Sequence, residues 1–272
     1  DYIQPDVYIE GTGCEVDFVA YDSKYDLVEY VEAKGGLDGD GKRPGAKRTD
    51  NVKKAIANGA LIQTVDIGAY YVVYFSSSAA YPTELQTLTK KRKLKEKDIN
   101  FNKMGKPDMS YGWSKLTGEM LMNYLREEGT KVLTLRPFSG YGTDQDLDYP
   151  FPSIIERAIM NANPFNIWGK ATTTRDFIHI DDIVDAVIEM VKNNCNQTVN
   201  LCTGRPTTFL DLAVMALNTL GYEKTPAKRF KILTDKPAGV AYRVGDPSMM
   251  SDYYTPKISL EEGVERAIRG IV

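Results

Sequence analysis

Residues 69–136 constrain the fold most. An apolar, β-rich run over 69–75 is followed by a polar stretch. A long helical pattern over 111–128 then stops at Gly129, and a second apolar run covers 131–136. Strands with so few charges suit a parallel sheet, where both faces are covered. Two parallel strands also need a long crossover, normally a helix. The order predicts strand, helix, strand, and the alternation continues. Helices are expected over 151–162, 181–192 and 208–220, with short strands at 165–168 and 198–201. Asp181 or Asp182, and Thr207 or Thr208, are placed to open two of these helices. Ser259, three residues before Glu262, opens a last one over 259–269 in a capping-box pattern. Such alternation gives an α/β protein built on a parallel sheet.

The first fifty residues are less orderly. Residues 15–22 alternate and read as a strand ending at Asp22. Residues 25–31 fit either a strand or a short helix. The five glycines of 35–45 make a loop, and 51–59 reads as a helix ending at Asn58-Gly59. Residues 87–106 are polar and strongly basic, which describes a solvated loop or surface helix.

Composition excludes several classes of function. The 272 residues are 42% hydrophobic and 26% charged, with net charge −3. This is an ordinary globular balance, sufficient for one large or two modest domains. Mild acidity argues against nucleic-acid binding, and no apolar run reaches the roughly 18 residues of a membrane helix. Cys14, Cys195 and Cys202 form no paired framework, which suggests a reducing, cytoplasmic setting. One histidine, His179, cannot build a histidine-rich metal site, and no ligand cluster at metal spacing is seen, so no metal is expected. No signal-peptide pattern opens the chain, which starts at Asp1 without a methionine.

Chemistry is suggested by Tyr111-Gly112-Trp113-Ser114-Lys115. On a helix, positions i and i+4 share a face, and an ammonium there favours a neighbouring phenolate. Lys115 is thus placed to fit Tyr111 for general acid/base work. The strand over 69–75 runs into Ser76-Ser77-Ser78, whose hydroxyls offer a hydrogen bond to the same substrate oxygen. Tyr-x-x-x-Lys also arises by chance in many helices, so the pair alone does not establish catalysis.

Four segments in order carry a resemblance. They are Ser76-Ser77-Ser78-Ala79-Ala80-Tyr81-Pro82, the run from Met109 to Glu119, Leu135-Arg136-Pro137-Phe138-Ser139-Gly140-Tyr141-Gly142, and Arg175-Asp176-Phe177-Ile178-His179-Ile180-Asp181-Asp182. Together they resemble the extended short-chain dehydrogenases/reductases, the group of nucleotide-sugar epimerases and dehydratases. The resemblance covers residues 50–272 well and 1–50 poorly. It implies a Rossmann-like doubly wound parallel sheet with a smaller C-terminal substrate-binding lobe. The dinucleotide-binding domain is expected over 1–138. The lobe is expected over 139–272, with about 171–203 returning to the first domain.

The resemblance also implies site residues. Tyr111, Lys115 and Ser77 would be catalytic, with Ser78 the second choice for the hydroxyl and otherwise a substrate contact. Asp22, Ser76, Tyr111, Lys115 and Pro137 would hold NAD, Asp22 through the adenosine ribose, although a surface turn residue fits Asp22 equally well. Ser139 would also contact the substrate, at a position where relatives often carry asparagine. Arg175 and Arg243 are candidates for a substrate diphosphate, because a guanidinium fork matches phosphate oxygens; a surface or interlobe salt bridge is the alternative for each. Trp168 suits either a nucleotide base or core packing, and His179 a structural hydrogen bond. The glycine-rich turn that receives a dinucleotide pyrophosphate is missing. Gly11-Thr12-Gly13 runs into a strand with no helix between, so an incomplete sequence is expected in preference to a degenerate one.

The turn after Ser77 narrows the subclass. Ser78-Ala79-Ala80 carries none of the acids that dehydratase, 3,5-epimerase or decarboxylase relatives place nearby. The expectation is an NAD-dependent nucleotide-sugar epimerase acting at C4, which needs nothing beyond the Tyr, Lys and Ser set. A 4-keto reductase with the same residues, or a non-catalytic nucleotide-sugar-binding relative, are the alternatives. A homodimer formed partly by the Tyr111 helix is implied as well.

Overall fold

A computed structural model of the protein describes residues 71–142, 145–222, 226–236 and 239–270 with their side chains. Residues 2–9, 14–21, 27–31 and 271 are described by backbone alone. The predicted loop at 35–45, the helix at 51–59 and Asp22 lie outside the described residues.

The strand expected near Glu15 exists, but it does not join a parallel sheet. β1 (Tyr2–Ile9), β2 (Cys14–Tyr21) and β3 (Leu27–Val31) form an antiparallel sheet in that order. Short connections of a few residues allow antiparallel pairing, whereas parallel pairing requires a long crossover. The strand alternative for 25–31 is the one adopted.

The central unit matches its prediction. β4 (Tyr71–Phe75), α1 (Met109–Glu127) and β5 (Lys131–Pro137) form a crossover, with β4 and β5 parallel from Tyr71↔Lys131 to Phe75↔Leu135. α1 ends as its sequence dictates. Gly129 takes φ +96°, and the N–H groups of Gly129 and Thr130 return to the carbonyls of Arg126 and Leu125, a Schellman closure. After β5 come β6 (Ser139–Tyr141), α2 (Pro150–Ile159), β7 (Phe165–Trp168), β8 (Thr174–Arg175), β9 (Phe177–His179) and α3 (Ile180–Lys192). β10 (Thr198–Leu201) then pairs parallel with β5, giving the order β10-β5-β4.

Side chains alternate across this sheet, so helices cover both faces. Leu133, Leu135, Val199 and Leu201 pack with Ile183, Ala186 and Met190 of α3. Val132 and Tyr74 pack with Met122 of α1 on the other side. His179, the only histidine, caps α3 by accepting from the Asp181 N–H at 3.1 Å, which is the structural role expected of it and replaces Asp181 or Asp182 as the cap.

A second core gathers Tyr141 with residues of α2, β7, α4 (Phe209–Thr219) and α6 (Leu260–Ile271). Thr208, in β11 (Thr207–Thr208), caps α4 in a reciprocal box with Asp211. β7 pairs parallel with β12 (Phe230–Leu233). β8 lies between β11 and β13 (Tyr242–Arg243), and α5 (Ser248–Ser251) follows. Trp168 at the end of β7 is 48% exposed, so the core-packing alternative for it is excluded.

Candidate active site

Open parallel sheets present ligands at the carboxyl ends of their strands. β4 ends at Phe75, and the Ser76 N–H continues the ladder to the Leu135 carbonyl at 2.7 Å. Ser77 is extended and caps the short turn Ser78–Ala80, its hydroxyl oxygen accepting from the Ala79 N–H at 3.1 Å. That bond uses a lone pair and leaves the Ser77 proton available to donate.

α1 lies directly on this turn. The Asp108 N–H donates to the Ala79 carbonyl at 3.0 Å, and Gly112 faces the same oxygen. A Cβ at Gly112 would stand 2.3 Å from it. Tyr111 is half-buried. Lys115, one turn on, donates from Nζ to the Phe75 carbonyl at 2.8 Å and sits 5.8 Å from the centroid of the Tyr111 ring. The tyrosine, the lysine and the serine-bearing turn therefore meet at one strand end.

The next residue on that face was not anticipated. Glu119 is buried and pairs with Arg136 at 2.6 Å, while accepting a short hydrogen bond from Ser76. Arg136 also donates to the Tyr81 phenol and the Glu96 carbonyl, both at 2.9 Å. Tyr81 in turn donates to Asn200 Oδ1 at 2.7 Å. Burial alone lowers the Arg136 pKa, but Tyr81 and the Glu119 carboxylate more than reverse this and hold it above its ordinary value. Burial raises the Tyr81 phenol, opposed by Arg136, so it stays protonated and donating. Ser76 thus turns inward, and its side chain serves this network rather than a cofactor. The available clue to Glu119 was its spacing: Tyr111, Lys115 and Glu119 follow at i, i+4 and i+8, so a charged residue falls on the sheet-facing side.

A second group lies at the other end of the helix start. β8 and β13 pair in parallel with Arg175 opposite Arg243. Arg243 donates from Nε to Gln86 Oε1 and from Nη2 to Asp108 Oδ2, each at 2.6 Å. Arg175 donates from Nη1 to the carbonyls of Thr174 and Val240 at 2.8 Å and stacks 5.3 Å from the Phe209 ring. Burial, with the charge of Arg243 added, pushes Arg175 down to about 9 despite Asp108. Burial likewise lowers Arg243, with Asp108 opposing. Asp108 and Gln86 carry no motif that marks them in the sequence. Ser78 is buried in the turn, Ser139 gives its backbone N–H to the Asp176 carbonyl at 2.9 Å, and Pro137 closes β5.

Among the described residues no group of acids, cysteines and histidine is placed to hold a metal ion, and no helix is long and apolar enough to cross a membrane.

Comparison with known proteins agrees with this geometry. A model of the NAD dependent epimerase/dehydratase family matches residues 21–202. A dTDP-4-dehydro-6-deoxy-D-allose reductase from a Streptomyces species is 29% identical over 231 residues, covering 82% of this chain and 67% of the reductase. A putative UDP-glucose 4-epimerase from Methanocaldococcus jannaschii is 30% identical over 169 residues, covering 60% of this chain and 53% of that protein. The chain thus spans about half to two thirds of these relatives. Among solved structures, the UDP-glucuronic acid 4-epimerase of Bacillus cereus, in complex with UDP-glucuronic acid and NAD, superposes with a TM-score of 0.67 at 22% identity. The match covers 88% of this chain and 73% of that one, and it shows the fold.

Proposed function

The chain belongs to the NAD dependent epimerase/dehydratase family, and on that premise we propose that it is an NAD-dependent nucleotide-sugar epimerase acting at C4. The observation that carries this is the junction of Tyr111, Lys115 and the Ser77 turn at the end of β4.

The donor set suits the nicotinamide end of a dinucleotide. Tyr111 and Lys115 offer a phenol and an ammonium to ribose hydroxyls, beside the end of β5 at Pro137. Asp22, assigned to the adenosine ribose, lies outside the described residues. Bound NAD supplies the hydride acceptor and donor that Tyr, Lys and Ser cannot provide. The chain's own groups move the proton. The Tyr111 phenolate takes the proton of the C4 hydroxyl as the C4–H bond breaks and the carbonyl forms. Ser77 donates a hydrogen bond to that oxygen. Lys115, fixed by the Phe75 carbonyl, holds its positive charge beside the Tyr111 ring. After the sugar turns its other face, the same phenol returns the proton. Ala79 and Ala80 supply no further acid, so neither elimination of water nor epimerisation beside a carbonyl is served. Arg243 and Arg175 meet the substrate diphosphate, and the exposed Trp168 is available to the base.

One observation favours a second reading, a 4-keto reductase: the Streptomyces relative that matches 82% of this chain bears that name. Stoichiometric NAD released on denaturing the purified protein supports the epimerase, and freely exchanged cofactor supports the reductase. The chemical assignment is tested by Tyr111→Phe. Turnover should fall about 10²- to 10⁴-fold with the nucleotide-sugar Kd nearly unchanged; equal loss in both refutes a proton-transfer role. A homodimer is part of the proposal, supported by the exposed stripe of Trp113, Met120, Leu121 and Tyr124 on α1. A cytoplasmic setting is supported by the free, buried Cys195 and Cys202.

A further inference from the structure

Asp108 occupies the N-cap position of α1 with extended backbone (φ −78°, ψ 109°), yet its side chain makes no capping hydrogen bond. Aspartate is among the strongest N-cap residues, so its carboxylate has been drawn elsewhere. It goes to Arg243, and among the described residues a single hydrogen bond holds it, Oδ2 accepting from Nη2 at 2.6 Å. Arginine offers five donors. Two of them, on Nε and Nη2, are spent on Gln86 and Asp108. Arg175 stands opposite on the paired strand, and a Cβ at Gly239 would lie 3.4 Å from Arg175 Nη2 and 3.8 Å from Asp108 Oδ2. Two guanidinium groups and one carboxylate thus converge with the open backbone of Gly239.

We propose that Asp108 is a specificity-setting residue that occupies Arg243 in the free protein and is displaced by the phosphates of the ligand. This rests on the reading that Arg243 meets a substrate diphosphate. A carboxylate held by one N–H is a weaker partner than a phosphate pair that engages the fork at two points. A ligand gains Arg243 only if its negative charge there outweighs that of Asp108. A nucleoside diphosphate, with two phosphates to span the fork, meets the condition more fully than a monophosphate, which brings its charge on one phosphate. The displaced carboxylate has a second home, the N–H groups of its own first helical turn. Met109, the first residue of that turn, has φ +57° and is exposed.

Calorimetric titration of the whole protein tests this, using UDP, GDP and dTDP and their monophosphates on wild type, Asp108→Asn and Arg243→Gln. Asp108→Ser is a second neutral variant that keeps a cap-forming side chain. Expected results are diphosphate binding tightened about three- to tenfold in both Asp108 variants, monophosphate binding tightened more, and diphosphate binding weakened at least tenfold in Arg243→Gln. If Arg243→Gln weakens binding while neither Asp108 variant tightens it, Asp108 merely orients the arginine and the proposal is overturned, with the functional reading intact. If Arg243→Gln leaves diphosphate binding unchanged, the reading of Arg243 as the phosphate ligand fails and the proposal falls with it.

Discussion

Gly112→Ala tests how closely the Tyr111 helix must approach the Ser77 turn. The added methyl group would stand 2.3 Å from the Ala79 carbonyl oxygen, 3.1 Å from its carbon and 3.0 Å from Pro107 Cβ. A relaxed carbon–oxygen contact is about 3.3 Å or longer, so helix and turn separate by about 1 Å. The obstacle is backbone and cannot rotate aside. Overpacking of this kind costs about 1–3 kcal/mol, and replacing a mid-helix glycine returns about 0.5–1 kcal/mol. The net loss of stability is therefore about 0–2.5 kcal/mol. Displacement by about 1 Å within a reacting constellation costs on the order of 10² in rate, and Tyr111 is the adjacent residue. Urea unfolding and single-turnover rates with a nucleotide sugar, compared with the exposed control Thr117→Ala, separate the two effects. The expected signature is a hundredfold slower reaction in a protein that remains folded. An alanine variant with unchanged stability and a rate within twofold of wild type refutes the claim that this approach positions the site.

Removing one partner of a buried ion pair leaves the other unpaired. Glu119→Gln should lower stability by about 3–5 kcal/mol in denaturant unfolding, and a double variant that also neutralises Arg136 should lose less than the two single losses summed. Near the surface, hydrogen bonding to Arg205 lowers the Glu261 carboxyl from the usual 4.5 to about 2. A depressed carboxyl stabilises the fold above its unfolded value and loses that contribution as pH falls from about 4.5 toward 2. Both side chains are about half exposed, so Arg205→Ala should cost under about 1 kcal/mol at pH 6, and the difference from wild type should vanish near pH 2 in thermal unfolding. A deficit that persists at pH 2 assigns the effect to lost packing instead.

The unit of β4, α1 and β5 was legible because each element repeats its own period and Gly129 can only end the helix. That Tyr111 and Lys115 share a helix face was legible for the same reason, whereas Ser77 was picked out only by resemblance of its turn to that of relatives. The start of α1 at Met109 rather than Tyr111 was not, because Asp108 takes the cap position with its backbone while its side chain serves Arg243. Arg175 and Arg243 could be picked out singly, but their apposition depends on the pairing of β8 with β13. No local pattern encodes that pairing. Strand direction was the other blind spot: alternation revealed β2, yet not that its partners run antiparallel.

The chain of contacts from Ser76 through Glu119, Arg136 and Tyr81 to Asn200 joins the carboxyl ends of β4, β5 and β10 to the helix above them. Members of such a circuit are energetically interdependent. In the course of divergence, therefore, these five positions should drift as a set. A descendant that abandons one is expected to show a compensating exchange at a neighbour, and the covariation should be detectable in any sufficiently deep collection of homologous chains.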